Sequence, residues 1–144
     1  MSGFWRTWLT VWGWSVVIFG LVLAGGAFEA TRAPVDMLIS TLGGIDSLAW
    51  DRPLRFGVGL MGAVSIGWGL TFLAIFKAAW MLGDQAGPVW RAITLSTLAW
   101  YVIDGVISVA SGFALNLVPN TVLLIGFLSP ILSQGLLAKS TQPG

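Results

Sequence analysis

The chain has 144 residues and a net charge of +1, and it contains neither cysteine nor histidine. Hydrophobic residues make up 56% of it and charged residues only 9%, with a mean hydropathy of +0.87. A soluble domain carries about 25% charged residues, so this composition predicts one integral membrane domain over 1–144. The missing residue types exclude disulfides, Cys/His zinc sites and His-dependent catalytic pairs, and the near-neutral charge excludes a nucleic-acid footprint.

Long uncharged runs predict the membrane spans. Residues 7–28 and 56–76 carry no charge, and a hydrocarbon core of about 30 Å requires roughly 20 helical residues. From 92 to 138 there is one charge, and Pro119 divides this stretch into two further spans. The expected fold is an all-α bundle of four transmembrane helices, at about 7–28, 54–76, 90–114 and 120–138. The first span is longer than a signal-peptide core, which favours a retained helix over a cleaved leader.

The connection over 29–53 is long for a helix–helix loop. Pro34 near its start and two glycines at 43–44 are typical of a helix over about 34–44. That helix is too short to span, so we expect a short amphipathic helix at the membrane interface or over the end of the bundle; the alternative is an ordered loop. Asp51 is expected to cap the second span, with Pro53 in its first turn.

Four spans place both chain ends at one end of the bundle, which we term the terminal end. The terminal end holds four basic residues and the opposite, loop end holds three: Arg6, Lys77, Arg91 and Lys139 against Arg32, Arg52 and Arg55. This excess predicts cytoplasmic termini in a cell membrane. Five tryptophans fall near the terminal end and predict an interfacial tryptophan belt: Trp5, Trp8, Trp12, Trp80 and Trp90.

The second span carries many small residues. Its segment 57–62 matches G-x-G-x-x-G, but a dinucleotide site requires a preceding strand. Small residues instead let membrane helices approach closely. Two stripes are predicted to pack against another helix of the chain or of a second copy: Gly59, Ala63 and Gly67, and Gly62, Ser65 and Gly69.

The third span has a polar face. Hydrogen-bonding side chains recur every three or four residues, as one side of a helix requires: Thr94, Thr97, Tyr101, Asp104, Ser108 and Ser111. Facing lipid would be costly, so this face is expected to contact protein or water.

Asp104 is the centre of the candidate ligand or proton site within this face, which also includes Thr97, Tyr101, Ser108 and Ser111. It is expected about 10 residues, hence about 15 Å, from the loop end of its helix. Three hypotheses account for the acid: an ion pair with Arg55, a neutral acid hydrogen-bonded to Tyr101 and Ser108, or a proton or cation site facing an aqueous cavity. Asn116 and Asn120 are expected to cap the last loop, and Pro130 to bend the fourth span.

Two functions follow from the sequence. The first is a non-enzymatic membrane protein that acts by helix association in the bilayer, as an accessory subunit of a complex or as a homo-oligomer. The alternative is proton- or cation-coupled transport or binding of a small hydrophobic or cationic ligand at Asp104. No catalytic set, metal site or cofactor is expected.

Overall fold

The structure is a computed structural model that describes residues 1–46 and 48–138. Over these residues the chain forms five α-helices and three short 3-10 turns, without a β-strand, so the all-helical expectation is confirmed. The α-helices are α1 (Gly3–Gly25), α2 (Ala33–Gly43), α3 (Arg52–Leu82), α4 (Gly87–Ala110) and α5 (Leu117–Ser133). Lys139, one of the basic residues assigned to the terminal end, lies outside the described residues.

Three stretches of the described chain are long and apolar enough to cross a membrane, judged by length and composition: Gly3–Gly25, Arg52–Ala110 and Ala114–Ser133. The middle stretch has 59 residues, far more than the roughly 20 that one crossing requires. It contains α3 and α4, which are joined by the 3-10 turn Gly83–Ala86. Gly83 has φ +58°, a left-handed conformation that glycine adopts without strain.

Local signals set the ends of α2 and α3. Pro34 lies in the first turn of α2, and Gly44 ends that helix in the left-handed region at φ 61°. Asp51 caps α3 as expected, since its Oδ1 accepts a hydrogen bond of 2.9 Å from the Leu54 N–H, and Pro53 lies in the first turn. The helix predicted at 34–44 is therefore present at Ala33–Gly43 and leads into α3.

The last connection is placed differently from the prediction. α4 ends at Ala110, not near 114, because Gly112 adopts φ +84° and the Phe113 N–H turns back onto the Ser108 carbonyl at 2.8 Å. α5 then begins at Leu117, not at 120. Pro119 is tolerated in its first turn because the N–H groups there have no intrahelical acceptor.

Contacts between the helices show an antiparallel arrangement. α1 and α3 run in opposite directions, because Gly13 lies against Leu73 and Gly20 against Ile66. α3 and α4 also run in opposite directions, because Trp68 lies 5.1 Å from Trp100 and Phe76 lies 6.0 Å from Trp90 between ring centroids. α5 reverses again along α4 and returns to α1, so α1, α3, α4 and α5 form a closed ring of four helices, with α2 over its loop end.

Four glycines bring α1 and α3 into backbone contact. A Cβ built on Gly62 would lie 2.2 Å from the backbone nitrogen of Ala24, and one on Gly69 would lie 3.1 Å from the Gly13 carbonyl oxygen. A Cβ on Gly20 would lie 2.7 Å from the Ile66 backbone nitrogen. This is the close approach that small residues permit between membrane helices, and here it joins two helices of the same chain.

An aromatic cluster fills the half of the bundle nearer the terminal end. Trp12 lies at its centre, with ring centroids 5.0 Å from Phe72, 6.1 Å from Phe76 and 5.4 Å from Phe127. Trp90 stacks on Phe76 at 6.0 Å. Trp12 and Trp90 are only 6% and 3% exposed. Both rings therefore pack against other helices of the chain, and the interfacial tryptophan belt stays a prediction.

Pro130 lies inside α5 and leaves one carbonyl of that helix without its usual partner. Proline has no N–H to donate to residue i−4, which is Gly126. The Trp8 indole Nε1 donates to this Gly126 carbonyl at 2.7 Å. The next indole, Trp12 Nε1, donates to the Leu123 carbonyl at 2.8 Å. The sequence predicts a bend at Pro130. The structure shows a further consequence, since the Gly126 carbonyl that Pro130 leaves free accepts the hydrogen bond from Trp8 and so connects α5 to α1.

Candidate functional site

Asp104 lies on α4, six residues before the helix ends at Ala110. At 1.5 Å per residue this is about 9 Å from the loop end of the helix, not the expected 15 Å. The side chain is half-buried and faces the beginning of α5. The acid is therefore shallower than the sequence predicted, because the turn at Gly112 shortens α4.

Three hydrogen-bond donors converge on one oxygen of this acid. Asp104 Oδ2 accepts from Asn116 Nδ2 at 3.1 Å, from Ser108 Oγ at 3.4 Å and from Asn120 Nδ2. Asn116 Nδ2 also donates to Ser108 Oγ at 3.0 Å. These four residues, Asp104, Ser108, Asn116 and Asn120, are termed the polar clamp below, because they connect the end of α4 with the start of α5.

The clamp corrects the role expected for the two asparagines. Asn116 precedes α5 but makes no side-chain capping bond, and Asn120 is already inside the helix. A carboxylate is a strong acceptor for amide N–H groups, and both amides point to Asp104. The sequence carries one signal for this arrangement: Asn116 and Asn120 are four residues apart, a spacing that places two side chains on one face of a helix.

The expected ion pair between Asp104 and Arg55 is not formed. Arg55 Nε donates to the Trp50 carbonyl at 3.2 Å, and its Nη2 lies 3.5 Å from Glu29 Oε2. The physical reason is the ring order, because Asp104 faces α5 whereas Arg55 lies beside the loop that follows α1. Within the described residues, the contacts of Asp104 are neutral amides and a hydroxyl.

The rest of the polar face is mostly turned inward. Tyr101 OH is 2.8 Å from Thr121 Oγ1 on α5, and the fully buried Thr97 donates to the Ile93 carbonyl at 2.8 Å. Thr94 is buried, and its Oγ1 has no partner among the described residues. Ser111 is exposed and donates to the Ile107 carbonyl. The face thus contacts protein over most of its length and reaches the surface at its last residue.

The predicted small-residue stripes separate into two groups. Gly62 and Gly69 face α1, and Gly59 lies beside Ala27, where a Cβ would be 2.9 Å from that methyl group; Ser65 is half-buried. Ala63 and Gly67 are exposed, and a Cβ on Gly67 would meet nothing within 4 Å. This side of α3 continues with further exposed residues toward the terminal end. We term this set the open stripe: Ala63, Gly67, Thr71, Ala74 and Ala78.

The loop end carries a second polar region. Glu29 lies 4.0 Å from Arg32 and 3.5 Å from Arg55, and the Arg32 guanidinium lies over the Trp50 ring at 5.7 Å. The indole of Trp50 donates to Asp36 Oδ1 at 2.9 Å. These contacts attach α2 and its flanking loops to the start of α3.

No known protein family, curated protein or solved structure matches the chain.

Proposed function

We propose that the chain crosses the membrane four times, with cytoplasmic termini, and acts without catalysis by association with a further transmembrane helix. α1, α3, α4 and α5 are the four crossings, and α2 lies at the interface of the opposite side. The support is the combination of apolar composition, helix length and the antiparallel ring. The basic residues of the terminal end favour this orientation.

The open stripe is the observation that carries the association. Lipid tails are as apolar as leucine, so membrane helices associate where small residues allow close backbone contact. Gly62 and Gly69 already serve this purpose toward α1, whereas Gly67 has open space beside it. The Thr71 hydroxyl donates to the Gly67 carbonyl at 2.8 Å, so this exposed residue leaves no hydroxyl donor free on the stripe. The partner helix belongs either to a second copy or to a larger complex for which this chain is an accessory subunit.

Cysteine crosslinking tests this proposal on a clean background, because the chain has no cysteine of its own. Ala74→Cys in native membranes treated with a thiol oxidant is expected to give a disulfide-linked dimer if the partner is a second copy. If the partner is a different chain, a photoreactive reagent attached to the same cysteine is expected to give an adduct with that protein. Adding Gly67→Leu is expected to abolish the product. Ala99→Leu, which places the same side chain at an exposed position of α4, is the control. Monomer alone in the Ala74→Cys sample contradicts the proposal.

A second function, proton or cation binding at Asp104, is favoured by one observation. The carboxylate has neutral partners within the described residues, so its charge is not compensated by a base, and an intramembrane acid is by default a functional candidate. Asp104→Asn is then expected to abolish proton or cation release on ligand addition in reconstituted vesicles while the protein stays folded. Unchanged release by this variant contradicts the second function.

A further inference from the structure

A cleft opens at the loop end of the bundle, away from the polar clamp and on the side of α3 that continues into the open stripe. Its volume is about 500 Å³, and it is lined by Ala27, Trp50, Arg52, Arg55 and Phe56. A cleft of this size accommodates a small ligand or a lipid headgroup. The two arginines come from the first turn of α3, and Ala27 comes from the segment that follows α1.

The charges that line the cleft are positive. Two of the nearby acids are engaged elsewhere, since Asp36 accepts from the Trp50 indole and Asp51 caps α3. Arg55 is held in place by the Trp50 carbonyl and by Glu29. Arg52 is exposed, and its guanidinium makes no hydrogen bond or ion pair with the described residues. Two guanidinium groups one helical turn apart are suited to a phosphate, which they bind through charge-assisted hydrogen bonds.

An acid lies within reach of the same cleft. The Glu29 side chain is 73% exposed and contacts Arg55 at 3.5 Å. A ligand with one anionic and one cationic group would therefore find a partner for each, with Arg52 and Arg55 at the phosphate and Glu29 at the cation. A purely anionic ligand would bring its negative charge close to the Glu29 carboxylate without a cationic group to offset the repulsion.

Below the cleft, α3 presents an apolar track to its surroundings. Phe56, Leu60 and Val64 are four residues apart and 70%, 52% and 63% exposed. They form one line along the helix, beginning at the cleft and running toward the middle of the proposed span. Such a line of apolar side chains accommodates an acyl chain. In the proposed arrangement Trp50 lies at the boundary between membrane and water, where amphipathic rings are favoured.

We infer that this cleft binds the headgroup of a zwitterionic phospholipid, with its phosphate at Arg52 and Arg55, its ammonium at Glu29 and one acyl chain along Phe56, Leu60 and Val64. The inference rests on the proposed membrane crossing but not on association through the open stripe. It assigns a lipid to the loop-end leaflet and gives the long first connection a binding role.

Native mass spectrometry of the full chain from mild detergent tests the inference, with phosphatidylethanolamine, phosphatidylglycerol and inorganic phosphate as probes. One phosphatidylethanolamine is expected to remain bound, and Arg52→Gln is expected to weaken it about tenfold, as for loss of one charge-assisted hydrogen bond. Lys77→Gln, an exposed charge removal at the other end of α3, is the control and should retain the lipid. Equal retention by Arg52→Gln overturns the inference.

The other probes separate the possible ligands. Glu29→Gln is expected to reduce the preference for phosphatidylethanolamine over phosphatidylglycerol, because it removes the partner of the ammonium. Equal binding of both lipids by the unmodified chain overturns the zwitterionic assignment. Displacement of the lipid by millimolar inorganic phosphate shows a free-phosphate site and overturns the lipid assignment. Arg52→Gln should keep the Ala74→Cys crosslink, so this inference and the association proposal fail separately.

Discussion

Replacing Gly62 by alanine is expected to separate α1 from α3 and to destabilise the bundle. The new methyl group would lie 2.2 Å from the Ala24 backbone nitrogen, 2.6 Å from its Cα and 2.7 Å from the Gly20 carbonyl oxygen. Normal contacts are about 3.5 Å or more, so the two backbones must move apart by about 1 Å. Because these neighbours are backbone atoms, the destabilisation should lie near the upper end of the roughly 1–3 kcal/mol that overpacking causes.

Gly67→Ala is the matched control for this effect, five residues further along the same helix. Its methyl group would meet nothing within 4 Å, and alanine favours a helix interior over glycine by about 0.5–1 kcal/mol. The free energy of unfolding of both variants is measured by SDS titration in dilute mixed micelles, followed by tryptophan fluorescence. Equal unfolding free energies for Gly62→Ala and Gly67→Ala would refute the close α1–α3 contact.

Two further predictions concern the attachment of α5. In a double-mutant cycle, the effects of Asp104→Leu and Asn120→Leu on the free energy of unfolding should be coupled by about 1 kcal/mol, because each substitution leaves the other residue's polar group unpaired. The effects of Asp104→Leu and Arg55→Leu should be additive. The reverse pattern would indicate that Asp104 pairs with Arg55. Trp8→Phe should lower the free energy of unfolding by about 1 kcal/mol in the unmodified chain. The loss should be smaller in a Pro130→Ala background, because the restored N–H of residue 130 can donate to the Gly126 carbonyl. An equal loss in both backgrounds would contradict the hydrogen bond between Trp8 and the Gly126 carbonyl.

The presence and order of the helices followed from the sequence, whereas several helix boundaries did not, since α3 continues to Leu82 and α4 ends at Ala110. The uncharged runs and the pair of signals at Pro34 and Asp51 depend on interactions within a few residues, so they are readable from a single chain. The end of α4 depends on the conformation of Gly112 and on the Phe113–Ser108 bond. Gly112 is a residue type that often ends a helix, but the prediction of a helix to about 114 did not use this signal, and the error placed Asp104 too deep.

The small residues of α3 also combine a feature that the sequence predicts with one that only the assembled helices decide. Their four-residue spacing on α3 predicts close helix packing, and the structure brings Gly62 and Gly69 against α1 while Ala63 and Gly67 remain outside. Composition does not specify which side of a small-residue helix meets its neighbour. The choice depends on how α1 presents Gly13 and Gly20, and therefore on two helices together.

The sequence alone determined the all-helical class, the order of the apolar helices and the place of a single acid, Asp104, within one of them, because these depend on composition and on the length of uncharged runs. Only the tertiary structure decided what Asp104 contacts. Its partners, Asn116 and Asn120, lie 12 and 16 residues away, and they reach it because the turn at Gly112 folds α5 back along α4. A hydrogen bond between helices requires both their rotation and their register, and those are properties of the assembled bundle.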